Sequence, residues 1–211
     1  MMVRIATAAV AVSIAVVVIS LAVIFGFKEQ ISSLVSGVAA DVTISSPYSH
    51  RQPESHPITD SEALRKLITS TENIASIEPY ALRNAIVRGE SGAEGVLLKG
   101  VESAADLSLI ESRLESGAMP QMEGARRKEV LLSRDLAQKI GAKSGSRIEI
   151  VLIEDDSPRR EVFKVCGIYR SVLGNVASSL AITDIRNVQK INHWEQSQIT
   201  GYACRLDAPE L

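Results

Sequence analysis

The chain has 211 residues, with 23 Lys and Arg against 25 Asp and Glu for a formal net charge of −2, and 4% of its residues are aromatic. A near-neutral chain with few aromatic side chains has neither the basic stripe nor the stacking platforms of a nucleic-acid-binding protein. The sequence has no glycine loop of the phosphate-binding types, so ATP hydrolysis is not expected of this chain.

An uncharged apolar run occupies residues 5–27. Its length of about 23 residues exceeds the roughly 20 that a helix needs to cross a bilayer core. Strands of ordinary length do not continue so far without a turn signal. A cleavable signal peptide would need a shorter apolar core and a small-residue site directly behind it, but charged residues follow at 28–29. We therefore predict a transmembrane helix.

The helical pattern continues past this run as a stalk, to about residue 36. The stalk has an apolar stripe made of Ile31, Leu34, Val35 and Val38. Small residues also recur along one side of the run and form a candidate face for another transmembrane helix, although Ala is common in spans without such a contact. They are Ala8, Ala11, Ala15, Ala22 and Gly26.

The pattern of residues 41–211 predicts a mixed α+β domain. A first strand at 41–46 is followed by a polar loop over 47–57. Thr59 and Glu62 have the spacing of a capping box, which predicts that a helix begins at Thr59. Its inward stripe would be Ala63, Leu64, Leu67 and Ile68.

Two strands are predicted next, at 74–88 and 95–101, with a Gly-containing turn over 90–94. Pro79 suggests a break or an edge in the first of them. Residues 102–128 are irregular, with a possible short helix containing Leu107, Ile110 and Leu114. An inserted subdomain over about 59–125 would divide the domain into two subdomains.

The most regular unit is a strand at 129–133, a helix at 133–140 and a strand at 147–153, with Gly141 as the helix C-cap. Further on, a strand at 178–183 precedes a helix capped by Thr183 or Asp184, and a last strand covers 199–206. Ile185, Val188 and Ile191 form the inward stripe of that helix.

The strands at 147–153 and 161–170 are predicted to form an antiparallel hairpin, joined by a solvated polar connection of about seven residues. Its residues are the candidate partner-binding site: Glu154, Asp155, Asp156, Ser157, Pro158, Arg159 and Arg160.

We expect no catalytic residue, cofactor or metal site. The three His residues do not have a metal-ligand spacing, and no nucleophile elbow is present. His193 and Trp194 end a predicted helix, where packing is the expected role. Cys166 and Cys204 could pair if the domain is exported, or could be buried as small hydrophobic residues.

Several stretches of the chain resemble, in order, the lipoprotein-releasing permeases of bacterial ABC transporters, which are grouped with macrolide-efflux and cell-division permeases. They are residues 3–46, with GFKEQI at 26–31, then KEVLLSRDLAQKIGAKSGSRIEI at 128–150, and FKVCGIY at 163–169. The resemblance implies one transmembrane helix that continues as a stalk (1–40) into an α+β periplasmic core domain (41–211). It places the protein in the bacterial inner membrane, with the domain after residue 40 on the periplasmic side.

The resemblance also implies a mechanism and partners. Such permeases have four spans, work as homo- or heterodimers and bind a cytoplasmic ATPase, whose cycle moves the stalk and the periplasmic domain. Because family members continue into three more spans, we expect this chain to be a fragment or a truncated reading frame. In one subunit type, a long hairpin at the matching position hooks a periplasmic carrier. The short connection here argues against carrier docking but leaves open another periplasmic partner. The alternative hypothesis is a membrane-anchored sensing or scaffold domain.

Overall fold

A computed structural model of the chain describes residues 13–18, 40–49, 56–103, 107–154, 157–171 and 179–207. Residues 13–18, within the predicted span, are helical (α1), and the side chains of Ile14, Val16, Val17 and Val18 are exposed. The rest of the predicted span lies outside the described residues. In the described part of the chain, no helix has both the length and the apolar character that crossing a bilayer requires.

The described domain contains eleven strands and four helices after α1. The strands are β1 (Val42–Ser45), β2 (Ile58–Thr59), β3 (Ile74–Arg88), β4 (Ala93–Val101), β5 (Leu114–Gly117), β6 (Glu129–Ser133), β7 (Arg147–Glu154), β8 (Ser157–Tyr169), β9 (Leu180–Asp184), β10 (Gln198–Ile199) and β11 (Gly201–Leu206). The helices are α2 (Glu62–Thr69), α3 (Ser108–Glu111), α4 (Arg134–Ile140) and α5 (Ile185–Ile191). The predicted mixed α+β fold is confirmed.

Six strands close into a barrel, in the order β3, β4, β9, β6, β8, β7 and back to β3. Four of the pairs are antiparallel, and the pairs β4–β9 and β6–β8 are parallel. Two additions extend this ring. Strand β11 pairs with the first half of β3 and β1 pairs with β11, and β5 pairs with the end of β8.

Alternate residues along the barrel strands fill its interior, as the two-residue period of a strand requires. The interior side chains are almost completely buried and belong to one cluster: Ala85, Val87, Val96, Leu98, Val130, Leu132, Ile148, Ile150, Phe163, Val165 and Ala181. Leu131 and Ile182, which alternate with these positions, join Leu107, Ile110 and Tyr169 in a second cluster outside the ring.

Helices α4 and α5 pack on the interior cluster at opposite ends of β4. Ile140 at the end of α4 accepts a hydrogen bond from Ser91 in the β3–β4 turn, whereas Gly100 lies against α5. Both helices begin and end as local signals indicate. Asp184 caps α5 by accepting from the N–H of Arg186 at 2.8 Å, and Gly141 ends α4 with φ of +71°.

Two predictions about α2 were wrong. Helix α2 begins at Glu62, and its cap is Ser61, which accepts from the N–H of Leu64 at 3.2 Å. Thr59 instead lies in β2, held opposite Gln198. In the predicted inward stripe, Ala63 and Leu67 are exposed, Leu67 to 67%, and only Leu64 and Ile68 face the domain.

Leu114, placed in a helix by the sequence, begins β5. Pro79 does not break β3, and lies just before the stretch that pairs with β4. Strands β3 and β4, from the proposed inserted subdomain, pair with strands outside the 59–125 range. The boundary of that subdomain stays a prediction.

Candidate functional site

The two ends of the described domain meet in one strand pair. Strand β1 pairs antiparallel with β11, from Val42 opposite Cys204 to Ser45 opposite Gly201. Beside this pair, the carboxylate of Asp41 accepts from the N–H of Leu206 at 3.0 Å. We call β1 and β11 the root strands, because the chain enters the domain through one and reaches residue 207 through the other.

Strand β3 joins the root strands to the barrel. Its first half pairs with β11 and its second half with β4 and β7, so one continuous strand belongs to both parts. Its 15 residues span about 50 Å at the usual rise per residue. Backbone hydrogen bonds therefore join the root strands to the barrel without an intervening loop.

A partly buried ion pair connects α2 to the root strands. Arg65 of α2 donates to both carboxylate oxygens of Asp60, with 2.7 Å from Nε to Oδ1, and the hydroxyl of Tyr202 in β11 donates to the same carboxylate. The hydrogen bond from Arg65 lowers the pKa of Asp60, against an opposing effect of burial. Burial, followed by the bond to Asp60, raises the pKa of Tyr202 to about 12. At neutral pH Asp60 is thus an anion and Tyr202 a donor.

The predicted polar connection between β7 and β8 is shorter than expected. Pairing continues from Arg147 opposite Lys164 to Glu154 opposite Ser157, so only residues 155 and 156 separate the strands. Residues 157–160 are strand, because an exposed hairpin ladder tolerates polar side chains. Of the candidate partner-binding residues, Pro158 and Arg160 are exposed and Arg159 is half-buried. Asp155 and Asp156 lie outside the described residues.

A charged network beside this hairpin was not predicted from the sequence. Its residues are Lys128, Arg159, Glu161 and His193. Glu161 accepts from Lys128 at 2.5 Å and from Arg159 at 2.9 Å, and Lys128 is the main reason that the pKa of Glu161 is lowered. Arg159 also donates to Nε2 of His193 at 3.0 Å. Lys128 is 33 residues from Glu161, and Arg159 is 34 residues from His193, so no local pattern predicts these two contacts. Arg159 is consequently part of the domain's own structure as well as of the hairpin.

Comparison with known proteins gives the family. The model of the MacB-like periplasmic core domain matches residues 5–209. The chain belongs to this family. The resemblance to lipoprotein-releasing and macrolide-efflux permeases is therefore confirmed.

Curated relatives of this periplasmic core domain chain include two transmembrane proteins of lipoprotein-releasing systems. One is LolC of Xylella fastidiosa strain 9a5c, 22% identical over 93% of this chain and 47% of its own length. The other is LolE of Haemophilus influenzae, 25% identical over 95% of this chain and 49% of its own length. The chain thus spans about half the length of the curated relatives it matches.

Two solved structures share the fold of the core domain. The periplasmic region of MacB from Actinobacillus actinomycetemcomitans matches 82% of this chain and 79% of its own, with a TM-score of 0.51 and 14% identity. The extracellular domain of the noncanonical ABC-type transporter YknZ from Gram-positive bacteria matches 78% of this chain and 80% of its own, with a TM-score of 0.51 and 12% identity. At these identities the likeness concerns the fold.

The remaining predicted positions of this core domain chain lie mainly before the root strands. Of the helix-packing and stalk candidates, Ala15 lies in α1, and the others lie outside the described residues. Cys166 and Cys204 are both free thiols, in β8 and β11. Within the described residues, no three His, Cys, Asp or Glu side chains are grouped as metal ligands would be.

Proposed function

We propose that this chain is the N-terminal part of a permease subunit of an ABC transporter, with the domain after residue 40 outside the inner membrane. It transmits movement that a separate cytoplasmic ATPase produces, and it has no catalytic role of its own. The observation that carries this proposal is the pairing of both domain ends in the root strands, which continue through β3 into the barrel.

Paired strands suit this role physically. A segment that leaves the membrane before residue 41 enters β1 directly, and β1 is bound along its length to β11. Pulling β1 along its own axis loads all of these hydrogen bonds together, so the pair resists sliding far better than a flexible linker would. Tyr202 and Asp60 bind α2 to the same strands, which makes the root one unit with the domain.

The named relatives support a permease over the alternative of an anchored sensing or scaffold domain. Both are transmembrane proteins of lipoprotein-releasing systems, about twice as long as this chain. On this proposal the complete subunit has further spans and a second permease subunit beside it. The hairpin residues 154–160 stay candidates for contact with a periplasmic partner protein, with the exposed Pro158 and Arg160 available to it.

The test is an insertion in the complete permease. Two glycines after Gly37 should leave assembly and ATP hydrolysis in place but greatly reduce the substrate released per ATP hydrolysed. The matched control is the same insertion after Gly145, in an exposed turn between α4 and β7 where a Cβ would meet no atom within 4 Å. Full export with the Gly37 insertion would show that the domain does not work through a rigid connection.

A further inference from the structure

A cleft lies beside α5, between two segments that α5 holds in place by hydrogen bonds. Helix α5 is its floor, residues 122–128 form one wall and residues 193–198 form the other. Its volume is about 610 Å³. We call it the α5 cleft, and its lining residues are Arg126, Arg186, Gln189, Lys190, His193, Trp194 and Gln196.

Side chains of α5 hold the first wall in place. Arg186 donates to the carbonyl oxygen of Met122 at 2.6 Å and to that of Gly124 at 2.7 Å. Asn187, which is completely buried, donates to the carbonyl oxygen of Arg127 at 2.8 Å and accepts from Arg126 at 2.8 Å. This wall is therefore ordered before any ligand arrives.

The second wall is fastened by Gln189. Its side-chain amide donates to the backbone carbonyl oxygens of Gln196 at 2.8 Å and Gln198 at 3.0 Å. Its backbone carbonyl oxygen accepts from the N–H of Trp194 at 2.8 Å. Trp194 is half-buried against the interior cluster. The indole consequently offers a fixed apolar surface at the side of the cleft.

The charge of the cleft is positive. Asp184 neutralises Arg186 through a two-oxygen contact, but Arg126 is bonded to a neutral amide. Lys190 is exposed and has no acidic partner among the described residues. Glu123 and Glu195 belong to the two walls, yet neither lines the cleft. Two cations without an acidic partner among the described residues thus line the cleft together with a fixed aromatic ring.

We propose that the α5 cleft binds an extended acidic peptide segment of a partner protein, with carboxylates at Arg126 and Lys190 and an apolar or aromatic side chain against Trp194. Charge complementarity selects this occupant, because two separated cations beside a ring match alternating acidic and apolar side chains better than one compact anion. The cleft is separate from the root strands, so the proposal does not depend on force transmission.

Trp194 is the only tryptophan of the chain, so its fluorescence reports directly on the cleft. The full chain in neutral detergent is titrated with the peptide acetyl-Glu-Asp-Phe-Glu-Asp-Gly-amide. We expect a saturable shift of the emission maximum that weakens severalfold when salt rises from about 50 to about 500 mM, as screening requires. The peptide in which Gln and Asn replace every acid should bind at least tenfold more weakly.

The decisive variant is Lys190→Glu, which reverses an exposed charge that no described residue pairs with. We expect it to weaken the acidic peptide at least tenfold. Lys143→Glu, a reversal at another exposed lysine outside the cleft, should change binding less than twofold. Equal binding of the two peptides, or unchanged binding to the Lys190→Glu variant, would overturn the proposal. A shift caused by soluble short-chain phosphatidylglycerol and not by the acidic peptide would also overturn it.

Discussion

Replacing Asp60 should weaken the attachment of α2 to the root strands. Its carboxylate is 16% exposed and accepts from Arg65 and from Tyr202, whose side chain is completely buried. In Asp60→Ala the tyrosine hydroxyl loses its partner inside the protein. In Asp60→Asn one acceptor oxygen remains for Tyr202, whereas the charge and the second acceptor for Arg65 are lost.

The magnitudes follow from these environments. A buried hydrogen bond to a charged acceptor contributes about 1.5–3 kcal/mol to the free energy of unfolding. The ion pair with Arg65 adds less, about 0.5–1 kcal/mol, because Arg65 is 38% exposed and solvent screens it. Asp60→Ala should therefore cost about 2–4 kcal/mol and Asp60→Asn about 1–2 kcal/mol. Glu62→Ala, which breaks an exposed pair with Lys66 on the same helix, should cost about 0.5 kcal/mol or less.

The pH dependence separates this explanation from a packing defect. Because the pKa of Asp60 is lowered in the folded protein, its stabilisation is complete above the unfolded pKa of about 3.9 and is lost as pH falls through the folded value. Thermal unfolding of the full chain in detergent, followed by circular dichroism, should show the gap between wild type and Asp60→Asn at pH 7 and a smaller gap at pH 3. A gap that is the same at both pH values would refute the assigned role of the charge.

Three further predictions concern other parts of the domain. Ser61→Ala should lower the free energy of unfolding by about 1 kcal/mol and Thr59→Ala by less, because Ser61 caps α2. Chemical denaturation of both variants measures the two losses. A larger loss for Thr59→Ala would contradict the assignment of the cap. Gly201→Ala should lower the free energy of unfolding by about 1–3 kcal/mol, since its Cβ would lie 2.3 Å from a carbonyl oxygen of β1. In the control variant Gly95→Ala, the new Cβ meets no atom within 4 Å. Equal melting temperatures of the two variants would disprove the close approach at Gly201. Burial raises the pKa of Cys166 to about 12, so iodoacetamide at pH 8 should label this thiol at least about 100-fold more slowly than in the denatured chain. Mass spectrometry can follow the labelling. Rapid labelling would show that the thiolate is accessible in the folded domain.

Local signals predicted local structure well. The unit from β6 to β7 was predicted correctly, with α4 beginning one residue later than expected, because its helix and the turn at Gly141 depend only on neighbouring residues. The same holds for Asp184 at the start of α5. Each of these signals lies within a few residues of the element that it begins or ends.

Long-range pairing explains the errors. Thr59 has the spacing of a helix cap, yet β2 pairs with β10, which holds it in a strand, and the helix begins three residues later. Closure of the barrel through β3 and β7 joins segments about 60 residues apart, and neither segment has a local pattern that identifies its partner. The charged network beside the hairpin and the α5 cleft were missed for the same reason, since Arg126 and Lys190 line one cleft only when α5 lies beside residues 122–128.

The central claim is that the root strands move as one paired unit. Val42 lies directly opposite Cys204, so Val42→Cys in a Cys166→Ser background can form a disulfide that locks β1 to β11. In the complete permease, we measure the amount of substrate released per ATP hydrolysed. For the oxidised variant, this amount should be within about twofold of the amount for its reduced form and for a Cys204→Ser control. Export that stops on oxidation and returns on reduction would mean that the root strands must separate during the cycle, which contradicts the proposed mechanism.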